Sequence, residues 1–222
     1  MDEIVQGSPE WHAIRCGKVT ASRIADVVAK DRTGKAWGVS RANYAAQLIC
    51  ERLTGVVAES YTSAAMQWGT DQEPAARAAY QFEVNKRVNV VGFVLHPTIG
   101  QTGASPDGFV GDDGLVQFKC PESKTHIDTL LGAPIDGRYQ KQMLWEMACT
   151  GRRWTDFVSF DPRLPESMQL CIKRFPRDDA AIAELETAVI DFLNELRLTV
   201  HRLKARYEPE TIVPGELLAM AG

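Results

Sequence analysis

The apolar periodicity of this chain switches at Val88, and that switch constrains the fold more than any other feature. Before it, apolar residues recur at helical spacing. Thr20 to Ala29 puts Ile24, Val27 and Val28 on one face. Ser40 is a suitable N-cap for a helix running to about Thr54, with Gly55 as its stop. Thr70-Asp-Gln-Glu73 resembles a capping box opening a further helix through about Phe82, with Pro74 awkwardly placed at its start.

From Val88 the pattern becomes short and strand-like. Val88 to Leu95, Gly100 to Thr102, Phe109-Val110 and Leu115 to Cys120 are divided by Gly, Pro and Asp, and Gly111-Asp-Asp-Gly114 is a hairpin turn signal. A helix over Tyr139 to Thr150, stopped by Gly151, separates these from two more strands, Trp154 to Phe160 and Met168 to Phe175. The chain then returns to a long amphipathic helix from Asp178 to about Tyr207. Its apolar stripe is Ile182, Leu185, Val189, Phe192, Leu196, Val200 and Leu203. That stripe is wider than a coiled-coil seam, so the helix is expected to cover its own sheet. Helix-rich ends around a strand-rich middle predict an α/β fold.

The chain has 222 residues without repeat or linker, so a single domain over 1–222 is expected. A chain of this length buries roughly 70% of its unfolded surface unaided. With 45% hydrophobic and 24% charged residues it reads as globular, which excludes a disordered or fibrous chain. No apolar run approaches the ~20 residues of a membrane span, and the N-terminus lacks a signal-peptide core. Cys16, Cys50, Cys120, Cys149 and Cys171 are odd in number, scattered, and without zinc spacing. They read as reduced thiols in a cytoplasmic protein. His12, His96, His126 and His201 are equally scattered and read as structural. A net charge of −4 excludes coating nucleic acid by bulk charge but leaves room for a local basic channel. The five tryptophans are assigned to packing rather than to bases.

The chemistry-bearing stretch is Ser105-Pro-Asp107-Gly followed by Val116-Gln117-Phe118-Lys119-Cys120. Gln117 and Lys119 are two apart on a strand and share a face. If Gly111 pairs with Gly114, Asp107 falls opposite Phe118 and faces away from them. A bulge or an odd-length loop shifts the register by one and brings Asp107 to their side. Such an irregularity is expected, since Gly108, Gly111 and Gly114 make it sterically easy. Taken alone, the same residues more readily describe a surface turn followed by a half-buried strand with one snorkelling lysine.

Further segments occur with this stretch in one order: Trp11-His-Ala-Ile-Arg15-Cys-Gly-Lys-Val-Thr-Ala-Ser22, Trp68-Gly-Thr-Asp-Gln-Glu73, Pro121 after the lysine, and Gln140-Lys-Gln142. Together they resemble the lambda-type phage recombination exonucleases, from about Pro9 to Tyr207. These belong to the restriction-endonuclease-like superfamily with the motif PD-(D/E)XK. The resemblance implies a mixed β-sheet core flanked by helices. It also implies Mg²⁺-dependent 5′→3′ digestion of one strand of duplex DNA, a ring-shaped homotrimer, and a single-strand annealing protein as partner.

Carried over residue by residue, the resemblance makes Asp107 the metal-bridging aspartate and Phe118 a ligand through its backbone carbonyl only. Lys119 becomes the motif lysine that orients or deprotonates the attacking water. Glu73 becomes an acid from a preceding helix that completes the metal environment. The metal would be Mg²⁺, as two ions, with Mn²⁺ as a substitute. Arg15, Ser22, Ser105 and Gln140 match a 5′-phosphate pocket, with Gln142 as the alternative glutamine. Each has an ordinary alternative: an Asx-turn aspartate, a solvated lysine, a helix N-terminal carboxylate, a surface arginine, a cap or turn serine, an exposed glutamine. Gln117 departs from the family, which carries glutamate there. The exchange keeps packing and removes one negative charge, and its form favours an engineered substitution. Two other functions stay open, a structure-specific endonuclease of the same superfamily and a non-catalytic DNA-binding protein of this fold.

Overall fold

The computed structural model describes residues 6–58 and 63–208. Its centre is a five-stranded mixed sheet built from β2 (Val88–Asn89), β5 (Gly108–Val110), β6 (Gly114–Lys119), β7 (Trp154–Phe160) and β8 (Leu170–Pro176), in the order β2-β5-β6-β7-β8. Only β6 and β7 run parallel; every other pair in this sheet is antiparallel. A parallel pair needs a long crossover. Here it is made by two helices, α5 (Ser123–Leu130) and α6 (Gly137–Thr150). A small second sheet joins β1 (Val19–Thr20), β4 (Thr102–Ala104) and β3 (Val94–Leu95).

Alternation along β6 sends its side chains into two different cores. Leu115 packs in the larger cluster with Trp145 and Met143 of α6 and with Ile182, Val189 and Phe192 of α7 (Asp179–Tyr207). Val116 and Phe118 pack on the opposite face with Val158, Phe160 and the Ala76 and Tyr80 side chains of α4 (Ala64–Val84). Gln117 and Lys119 therefore share the α6 side of the sheet. The α/β layering expected from the sequence is present, as is the long C-terminal helix, whose N-cap Asp178 accepts from the Ala181 N–H. Gly151 ends α6 in the left-handed conformation, as its position predicts.

Four local expectations are corrected. The segment from Thr20 is helical only at Ile24–Val27 (α2), after a 3₁₀ turn, because Val19 and Thr20 pair with Thr102 and Gly103 in the small sheet. Helix α3 (Val39–Thr54) starts at a Gly38 cap, so Ser40 lies inside it, although Gly55 does end it. Val88 to Leu95 is not one strand; β2 and β3 belong to different sheets. Finally, α4 opens at Ser63, whose hydroxyl oxygen accepts from the Met66 N–H, nearly two turns before Thr70. Thr70 donates instead to the Met66 carbonyl, and Pro74 sits in the helix interior. Glu73 is thus a mid-helix acid, and its explanation as a macrodipole carboxylate falls. Among the described residues, no helix is long and apolar enough to cross a membrane.

Candidate active site

The β5–β6 hairpin fixes the register of the site. Val110 pairs with Gly114, and Gly108 with Val116, leaving the three-residue loop Gly111, Asp112 and Asp113. Gly111 takes φ +57°, a conformation glycine adopts at little cost. This odd-length loop supplies the one-residue shift anticipated from the sequence. Extending the register one step places Asp107 opposite Gln117. Asp107 is tied in place by its Oδ2, which accepts from the Phe118 N–H at 2.7 Å. The Phe118 ring is buried against Tyr80 in the second core, which leaves only its backbone to face the site.

A cleft of about 750 Å³ brings Asp107, Phe118, Lys119 and Glu73 together, with Trp68, Tyr139 and Arg163 on its walls. Lys119 Nζ lies 4.8 Å from the centre of the Tyr139 ring, and Glu73 is held by Arg77 at 2.5 Å. Burial is the largest influence on both carboxyls and pushes both pKa values up. The charge of Asp107 pushes Glu73 further the same way, while Lys119 and Arg77 act against the rise at each. Two carboxyls whose charged forms are disfavoured by burial gain from a cation placed between them. Gln117 adds a side-chain oxygen that is buried and has no hydrogen-bond partner.

Among the described residues no three His, Cys, Asp or Glu side chains converge on one point. Gln117, opposite Asp107 in the extended register, brings a buried amide oxygen there rather than a third carboxylate. The oxygen donors present (Asp107, Glu73, the Gln117 amide and the Phe118 carbonyl) fit a hard divalent ion. Cys120 has its thiol pushed up to about 11, chiefly by burial and then by Glu73, so it is protonated at neutral pH and no nucleophile.

A second pocket of about 260 Å³ is lined by Arg15, Ser22, Ser105 and Gln142, together with Trp11 and Glu146. Ser105 and Asp107 lie two residues apart, so one short segment serves both cavities. Arg15 stacks its guanidinium 3.6 Å from the Trp11 ring centre, and the Trp11 indole N–H donates to Ser105 Oγ at 2.9 Å. Among the described residues Arg15 makes no salt bridge, and burial lowers its pKa to about 10. An arginine kept without a carboxylate partner in a pocket is suited to an incoming anion.

Gln140 is the expected pocket residue that the structure separates from the others. Two residues along a helix turn the side chain by about 200°. Gln140 therefore faces α7, its amide donating back to the Ile135 carbonyl in the loop before α6, and Gln142 occupies the pocket. Trp11 and Glu146 were not picked out from the sequence as site residues. Helical spacing was the available signal: Trp11 lies four residues before Arg15, and Glu146 four after Gln142.

The model of the YqaJ-like viral recombinase domain matches residues 10–153, a span containing Glu73, Asp107, Phe118 and Lys119 of the cleft and Arg15, Ser22, Ser105 and Gln142 of the second pocket, though not Arg163. The chain belongs to this family. It is therefore an enzyme of a nuclease family, in keeping with the lambda-type exonuclease resemblance. The structure is similar to that of an alkaline exonuclease, LHK-Exo, from Laribacter hongkongensis. The sequences are 52% identical, the TM-score is 0.84, and the match covers 90% of this chain and 97% of that one. The same protein in complex with dAMP matches at a TM-score of 0.83, with the same identity and coverage. A phage related exonuclease from Haemophilus somnus 129PT, 14% identical over 84% of this chain and 96% of its own, shares the fold at a TM-score of 0.63. No curated protein matches the sequence significantly. The restriction-endonuclease-like α/β core of the YqaJ-like recombinases accounts for the mixed sheet and its flanking helices.

Proposed function

We propose that this YqaJ-family nuclease is a Mg²⁺-dependent 5′→3′ exonuclease that digests one strand of linear duplex DNA and leaves 3′ overhangs for phage-type recombination. The observation that carries this reading is the adjacency of the two pockets across Ser105-Pro106-Asp107. An anion pocket around Arg15 would hold a terminal 5′-phosphate. The carboxylate cleft begins two residues away, a span of at most ~7 Å and close to the length of one nucleotide. A strand anchored by its 5′ end would then present its first internal phosphodiester to Asp107, Glu73 and Lys119.

Bound divalent ions would supply Lewis-acid stabilisation of the attacking and leaving oxygens, with Mn²⁺ able to replace Mg²⁺. The chain's own groups do the rest. Asp107 and Glu73 provide negative charge to hold the ions, the Phe118 carbonyl adds a fixed oxygen, and Lys119 orients the attacking water and offsets phosphate charge. Gln117 coordinates more weakly than a carboxylate, so this chain should bind DNA ends well and cleave them poorly. The protein would act in the cytoplasm of a bacterial cell, encoded by a phage or prophage, and hand its 3′ overhang to a single-strand annealing protein.

A net charge of −4 disfavours DNA binding unless basic groups are gathered. A homotrimeric ring would gather them along its channel and close each heterologous interface on the next. A linear duplex and a covalently closed plasmid, each incubated with protein and Mg²⁺, provide the test. Digestion of the linear DNA alone is expected. Cutting of the closed circle would favour a structure-specific endonuclease, and metal-independent binding with no nucleotide release from either substrate would favour a non-catalytic DNA-binding protein.

A further inference from the structure

The Arg15 pocket contains an acid for which the reading above has no role. Glu146 of α6 has 0% of its surface exposed. Its Oε1 lies 2.9 Å from the Gln142 amide nitrogen, while its Oε2 is buried with no partner. No hydrogen bond joins it to Asp107, Glu73 or Gln117 among the described residues. A carboxylate here would oppose any phosphate that entered beside it, and a buried charge with an unsatisfied oxygen is costly in its own right.

Protonation removes both difficulties, and it changes what Gln142 offers. An ionised carboxylate only accepts, so Gln142 must spend an N–H on it, which leaves the pocket the carbonyl oxygen and at most one N–H. A neutral carboxyl has a hydrogen to give. Donating it to the Gln142 carbonyl oxygen turns the amide over and frees both N–H groups for the pocket.

Resting on the 5′-phosphate reading of this pocket, we propose that Glu146 is a positioning residue. As a neutral acid it donates to the Gln142 carbonyl, aims the Gln142 amide N–H groups at the terminal phosphate, and keeps a negative charge from lying beside it. The surroundings favour the neutral form. Burial pushes the pKa up to about 8, with the charge of Asp107 adding to the rise and Gln142 and Lys119 acting against it.

The other groups near α6 are accounted for. Arg15 lines the same pocket from α1 (Pro9–Arg15), and Cys149 on α6 itself is a thiol held protonated by burial. Beside the 3₁₀ turn and α2, Arg23 pairs with Asp26. On β7 Asp156 pairs with Arg174, and on α7 Glu186 pairs with His96.

The experiment is equilibrium binding, in EDTA, of duplexes ending in 5′-phosphate or 5′-hydroxyl, followed by fluorescence anisotropy from pH 7 to 9. The terminal phosphate, with its second pKa near 6, is dianionic throughout this window. Arg15, at about 10, stays charged. Glu146 loses its proton as pH rises, so the preference for the phosphorylated end should fall about tenfold by pH 9, the consequence of one ionisation centred near 8. Glu146→Gln keeps an N–H for the Gln142 carbonyl without titrating, so its preference should persist and be flat with pH. Glu146→Ala should lower the preference at every pH. A parent preference that does not change with pH, or a Glu146→Gln variant that follows the parent's slope, overturns the proposal and leaves the phosphate pocket standing. Equal binding of both ends at every pH overturns the pocket reading itself.

Discussion

Gln117→Glu tests the metal-site assignment from two sides. Residues directly opposite on antiparallel strands have Cβ atoms about 5 Å apart. A carboxylate at 117 would face Asp107 across such a gap, inside a site that already raises the Asp107 pKa through burial. At an effective dielectric of about 20, two unit charges at ~5 Å repel by about 3 kcal/mol, or roughly two pH units on the second ionisation. A carboxyl whose folded pKa is raised contributes stability fully below its unfolded value and loses it as pH climbs through the folded one. In EDTA, Gln117→Glu should therefore match the parent near pH 4 and fall behind by about 3 kcal/mol at pH 7. For a chain of this size that is roughly 6–12 °C in Tm. Mg²⁺ should close the gap. In single-turnover digestion of a 5′-phosphorylated duplex at saturating Mg²⁺, the variant should be faster than the parent by a hundredfold or more. Equal rates would show that a carboxylate at 117 is dispensable and that Asp107, Glu73 and Phe118 have been wrongly assigned to the metal. Equal Tm values across pH in EDTA would show that residue 117 does not face Asp107.

Arg15→Ala should erase the rate advantage of 5′-phosphate over 5′-hydroxyl ends, a loss of about 10–100-fold for one charge-assisted contact; an unchanged ratio of initial rates would refute the pocket. Lys119→Met should lower the single-turnover rate by about 10²–10³ while end binding, read by anisotropy, changes only a few-fold. An unaltered rate would return Lys119 to the status of a solvated strand lysine. Light scattering at micromolar concentration should report a trimer, and a monomer there would remove the ring and its account of how an acidic protein tracks DNA.

Legibility in the sequence followed the range of the interactions involved. Gly55 and Gly151 ended helices as expected because a left-handed residue is a local demand that few side chains meet. The long C-terminal helix was equally plain, since Ile182, Leu185, Val189, Phe192 and Leu196 carry their period over several turns. The small sheet was not. Val19-Thr20 is a strand only because β4 pairs with it, and no local pattern announces a partner some 80 residues away; Val94-Leu95 lay inside an expected strand, but its pairing with β4 rather than in the central sheet is a tertiary outcome. Glu73 was found for its acid and misplaced in its helix, because Thr70-Asp-Gln-Glu73 imitates a capping box and Pro74 reinforces the imitation. Ser63 had already begun that helix.

The pair Gln140 and Gln142 shows where sequence order stops carrying information about a site. Both are glutamines, both lie in the segment that resembles the family, and nothing in their chemistry separates them. Their angular position on α6 does, and that depends on which face of the helix the sheet claims. Trp145, wholly buried between them and the end of the helix, belongs to the face that packs inward. Tyr139, Gln142 and Glu146 repeat at three and four residues, so together they form one stripe looking over the site. Tyr139 borders the carboxylate cleft, and Gln142 and Glu146 border the Arg15 pocket. A single helical face thus borders both pockets. With the Ser105–Asp107 segment also reaching both, the distance between the Arg15 pocket and the acids is set by these two elements. Under the proposed anchoring of the 5′ end in the Arg15 pocket, that fixed distance is what would return each cut to the same bond.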